Sequence, residues 1–92
     1  MDVKEAVAKA KNYLGEIYGD EDISNIGLEE VEFDHSDKAW LITLGFSRPW
    51  EIPKNYFLQT DNLPKRSFKT IRIADKTGKV FSLKDRNSVV AQ

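Results

Sequence analysis

The chain has no cysteine, a single histidine and no long apolar run, and each of these lacks removes a class of function. Without cysteine there is no disulfide, no thiolate nucleophile and no thiolate metal site. No stretch approaches the roughly 18 apolar residues that a membrane-spanning helix needs, so no membrane partner is expected. The opening Met1-Asp2-Val3-Lys4-Glu5 shows no basic region followed by an apolar stretch; no export signal is read there, and a cytoplasmic location is expected. The five glycines are scattered, which leaves no glycine-rich loop to cradle a phosphate.

The residues that remain for chemistry do not form a reaction centre. His35 lies between Asp34 and Asp37 in a polar turn, where a solvated imidazole is the simpler reading than a base or a metal ligand. Ser36 beside it is no nucleophile–base pair, because adjacent side chains do not face each other. Glu30 and Glu32 share a strand face and fit surface alternation better than an acid/base pair. Asp20-Glu21-Asp22 lacks the alternating ligand spacing and central glycine of a calcium loop. No catalytic, metal-binding or cofactor-binding residue is assigned, no cofactor is expected, and the chain reads as non-enzymatic.

What is present is a small globular domain. Ninety-two residues, 40% hydrophobic and 32% charged, suit one domain over 1–92 with one layer of helix on one sheet. The net charge of −1 hides an asymmetry. Residues 1–37 hold eleven acids and three bases, a balance of −8, and residues 38–92 hold eleven bases and four acids, a balance of +7. Pairing of the two halves across neighbouring strands is the expected outcome, with Glu30 and Glu32 beside bases. The late bases Lys65, Arg66, Lys69, Arg72, Lys76, Lys79, Lys84 and Arg86 would serve a nucleic acid only if they shared a face apart from the acids, so nucleic-acid binding is disfavoured.

The periodicity gives the elements. Val3, Val7, Ala10, Leu14 and Ile17 recur at helical spacing, predicting a helix over 3–18. Asp2 is placed to cap it, and Gly19 is expected to end it in a left-handed conformation. Alternating residues predict strands over about 27–34, 39–47, 67–74 and 79–83. Trp40, Ile42, Leu44 and Phe46 share one face of the second of these, which makes it central. His35-Ser36-Asp37-Lys38 and Asp75-Lys76-Thr77-Gly78 read as turns, with positive φ expected at Gly78. The predicted core joins Leu14, Ile17, Trp40, Ile42, Leu44, Ile71 and Phe81. The fold class is α+β: an N-terminal helix packed on a four-stranded antiparallel meander sheet.

Ala6, Ala10, Tyr13 and Leu14 on the helix, Trp40, Ile42 and Leu44 on a strand, and Ile71, Ile73, Asp75, Gly78 and Val80 around the last turn form a pattern that resembles the PepSY-like domains. The resemblance implies a non-catalytic domain of a family associated with binding or inhibiting peptidases. It carries over no site residues, since the shared positions are structural.

One segment stands apart. The long loop 48–66 holds all three prolines, together with Trp50, Tyr56, Phe57 and Leu58. Connections of this length are commonly functional, and Trp, Tyr and Arg dominate interface hot spots. Arg48, Trp50 and Tyr56 are therefore the candidate partner-binding residues. The competing reading makes the loop a lid on the core. The leading expectation is a small protein-binding module, with an inhibitor or immunity role as one form and another protein as partner, acting as monomer or homodimer. The alternative is a small-ligand-binding protein or enzyme subunit with a pocket between helix and sheet.

Overall fold

The computed structural model describes residues 1–51 and 66–86. Helix α1 spans Val3–Ile17, and strands β1 (Ser24–Asp34), β2 (Ala39–Ser47), β3 (Ser67–Ala74) and β4 (Val80–Asp85) follow. The four strands form one antiparallel sheet in the order β1-β2-β3-β4, with α1 packed on one face. This is the expected α+β meander.

Helix α1 starts with a reciprocal cap. The Asp2 carboxylate accepts from the Glu5 N–H at 2.8 Å, and the Glu5 side chain accepts from the Asp2 N–H at 3.3 Å. The buried stripe is Ala6, Ala10 and Leu14, with Val7 and Tyr13 packed beside it. The predicted stripe is thus rotated: Val3 and Ile17 lie on its exposed flanks. Alanine decides the rotation, because two small side chains at i and i+4 let the helix axis approach the sheet, which Val3 and Ile17 at the interface would prevent. Gly19 does not take the left-handed conformation expected of it. The chain leaves the helix through successive turns instead: Tyr18 N–H still donates to the Leu14 carbonyl (2.9 Å), and Glu21 N–H donates to that of Tyr18 (3.0 Å).

On the helix-covered face the side chains stand in rows across the sheet. One row is Val31, Ile42, Ile71 and Leu83; the next is Phe33, Trp40, Ile73 and Val80. Ile42, Leu44, Phe46, Ile71 and Ile73 are fully buried with Leu14, and Trp40 is half-buried against them. Phe81, expected in this core, is 52% exposed. The register shift between Arg72 and Ile73 explains it: Ser82 pairs with Arg72 and Val80 with Ile73, so Phe81 is the extra residue of a bulge and leaves the alternation.

Strand β1 begins at Ser24 rather than 27, and it reaches that length through irregularities at Ser24–Gly27 and Leu28–Glu30. Asn25 supplies the positive φ (56°) that the first requires. Strand β4 begins one residue later than expected and runs on to Asp85. Both turns form where the sequence places them. Asp34 Oδ1 accepts from the N–H groups of Ser36 (2.9 Å) and Asp37 (3.3 Å), and Gly78 has φ 74° as anticipated.

Candidate functional site

The loop that carries the candidate partner residues leaves β2 directly. Arg48 follows Ser47, the last residue of β2, and Pro49–Glu51 form a short 3-10 turn. Proline at the first position of that turn fixes a φ suited to it. Tyr56 lies outside the described residues, as do Phe57 and Leu58.

Arg48 and Trp50 are brought together. The Arg48 guanidinium lies 4.9 Å from the centroid of the Tyr18 ring, 5.7 Å from that of Phe46 and 5.5 Å from that of Trp50. Tyr18 and Phe46 themselves pack with centroids 5.2 Å apart. Glu21 completes the corner, its carboxylate 3.7 Å from the Arg48 guanidinium. Arg48 is thus a hub at the junction of α1, β1 and β2, held by rings on two sides. Trp50 is its outer neighbour and is 68% exposed. A planar cation over aromatic faces is an attractive arrangement of roughly 0.5–1 kcal/mol where water reaches it. Sequence reasoning found both residues by type; it missed Tyr18 and Glu21, whose roles depend on the helix end folding back beside β2.

A second surface is the sheet face without the helix. Here Glu30, Thr43, Thr70 and Lys84 form one row, and Glu32, Leu41, Arg72 and Ser82 the next. All of these except Thr43, together with Asp85 and Arg86, line an open groove of about 500 Å³. The acids of β1 face bases from the other half of the chain, in agreement with the charge asymmetry. Arg72 donates to Asp34 at 2.9 Å and also to Asp37. Arg66 sits 3.6 Å from Glu29, and Arg86 sits 4.0 Å from Glu30 while lying over the Phe68 ring. The hydrogen bond from Arg72 holds the Asp34 carboxyl below the usual carboxylate range, helped by the N–H of Asp37, and the same pairing raises the Arg72 guanidinium.

At the far end of β2 the Trp40 indole N–H donates to Asp75 Oδ1 at 2.9 Å, and the Met1 amino group lies 3.2 Å from the same oxygen. These contacts, Trp40 first, lower the Asp75 pKa. His35 stacks edge-on against Phe33, centroids 4.9 Å apart, at the exposed turn. Among the described residues no three His, Cys, Asp or Glu side chains are grouped to hold a metal ion, and no helix is long and apolar enough to cross a membrane. Comparison with family models, curated proteins and solved structures finds no match to this chain.

Proposed function

We propose that the protein is a small non-enzymatic protein-binding module whose partner contacts the corner built by Arg48 and Trp50. The observation that carries this reading is the exposed Trp50 indole held beside a guanidinium that is itself packed on Tyr18 and Phe46. Interface energy concentrates in such Trp and Arg residues when they are held in place before binding, because less conformational freedom is then lost on association. In this arrangement Arg48 positions and Trp50 contacts.

Two further features support the reading over its rivals. Directly beneath the helix the space to the sheet is filled by apolar side chains, among them Ala6, Ala10, Leu14, Ile42 and Ile71, and the crevice at the β1 edge is open and lined by aliphatic side chains with Lys4 and Lys11. The late bases Arg66, Arg72 and Arg86 are interleaved with Glu29, Asp34 and Glu30 on one face, an arrangement that repels as well as attracts a phosphate backbone. An inhibitor or immunity role is one form that such binding takes, in line with the PepSY-like resemblance.

The test is capture and identification of the partner by the wild-type chain, followed by titration of the purified partner against wild type and Trp50→Ala. The expected loss is about thirtyfold or more, that of a hot spot worth ~2 kcal/mol. Equal affinity for the two proteins would overturn the assignment.

A further inference from the structure

Strand β1 joins three properties in one strip. It is at the sheet edge, and among the described residues no strand pairs with its outer side. From Glu30 to Asp34 its register on β2 is unbroken, so a further strand would meet a regular row of N–H and C=O groups. The irregularities at Ser24–Gly27 and Leu28–Glu30 confine that regular edge to residues 30–34.

The two flanks of the strip differ in chemistry. On the helix side an open crevice of about 400 Å³ runs between α1 and β1, lined by Val3, Val7, Ala8 and Leu28 with Lys4 and Lys11. Val3, Leu28 and Val31 are large apolar side chains left exposed there. On the helix-free side stand Glu30, Glu32 and Asp34. Arg72 engages Asp34 closely, Arg86 approaches Glu30 only to 4.0 Å, and Glu32 has no ion pair among the described residues.

We infer that β1 is a docking edge for an extended segment of a partner protein in which apolar and basic residues alternate. Main-chain hydrogen bonds to residues 30–34 add the segment as a fifth strand. Its alternate side chains point to opposite faces, so the apolar ones enter the crevice beside Val3, Val7 and Leu28 while the basic ones lie beside Glu30 and Glu32. Charge selects this occupant. The β1 strand of a second copy would bring Glu30 and Glu32 against their own kind, and like charges directly opposite are destabilising. The inference rests on the protein-binding reading and names the kind of segment bound. The strip is distinct from the Arg48–Trp50 corner: residues 30–34 pair with residues 39–43, whereas the corner lies at the other end of β2, where Ser24 pairs with Ser47.

The test uses the isotope-labelled full chain and two capped eight-residue peptides, one alternating valine with lysine and one alternating valine with glutamate. The lysine peptide is expected to shift the amide resonances of residues 28–34 and of Val3 and Val7, and to bind at least tenfold tighter than the glutamate peptide. N-methylation of its alternate residues keeps the charge but removes strand pairing, and should abolish the shifts. Leu28→Asp should abolish them too, and Glu32→Lys should reverse the peptide preference; both positions are exposed, so folding is retained. Equal binding of the two peptides, retention after N-methylation, shifts confined to β4 or Trp50, or self-association that protects the β1 amides would each overturn the inference. A Trp50→Ala variant that keeps its partner fails the corner reading without affecting the β1 shifts. Loss of partner on Trp50→Ala with no β1 shifts fails strand addition alone.

Discussion

The two faces of the sheet are built on opposite principles. Under α1, Ile42, Leu44, Phe46, Ile71 and Ile73 lie fully buried against Ala6, Ala10 and Leu14. On the other side the same strands present Glu30, Glu32, Arg72 and Lys84 around a floor of Leu41, Thr43 and Thr70, whose hydroxyls (Thr43 and Thr70) share a hydrogen bond of 2.9 Å. Burial of apolar surface holds the first face; cross-strand ion pairs order the second. Since exposed ion pairs contribute roughly 0–1 kcal/mol each, the domain's stability resides almost wholly on the helix side. The other side and the Arg48 corner are then free to be shaped for recognition.

Two phenylalanines, one on each kind of site, separate buried from exposed most clearly. Phe46→Ala empties a fully buried site and should destabilise the domain by about 3–5 kcal/mol in urea unfolding. Phe81→Ala, at the exposed bulge of β4, should change it by no more than ~0.5 kcal/mol. Similar losses for both would show that the helix-covered face is not the seat of stability.

Next in size is the turn that joins β3 and β4. At φ 74° Gly78 holds a conformation that side chains rarely adopt, and a Cβ there would come within 2.8 Å of the Lys9 side chain. Gly78→Val should destabilise by about 1–3 kcal/mol, read from the same unfolding curves. An unchanged midpoint would mean that the turn relaxes without loss.

Acid sharpens the contrast between charge and burial. Asp34 and Asp75 have folded pKa values below their unfolded ones, through Arg72 and Trp40 respectively. Their contribution is complete above the ordinary carboxylate range of about 4 and is lost as pH falls through the lower folded values. Melting temperature should hold steady from pH 7 to 5 and drop below pH 4, and the drop should shrink in Asp34→Asn. A drop of the same size in that variant would remove Asp34 from the explanation.

The strands were legible because alternation is a local signal. The run from Trp40 to Phe46 announces both the bounds and the buried face of β2, and the Asp75–Gly78 turn announces its glycine. The helix face was not, because Val3, Ala6, Val7, Ala10, Leu14 and Ile17 support two overlapping stripes. Only the distance between helix and sheet chooses the alanine one. Phe81 was misplaced because a bulge cancels alternation without leaving a mark in composition. The corner was half legible: Arg48 and Trp50 stand out by type, but Tyr18 and Glu21 reach Arg48 only through the fold-back of the chain after α1. The crevice beside β1 was invisible, since it depends on the helix sitting over β2 and leaving Leu28 and Val31 uncovered.

The proposed binding role of Trp50 requires that the indole be dispensable to the fold, and urea unfolding of Trp50→Ala beside wild type measures this. With the indole 68% exposed, the two curves should superimpose to within ~0.5 kcal/mol. A loss above about 2 kcal/mol would make Trp50 a structural lid on the core and contradict that role.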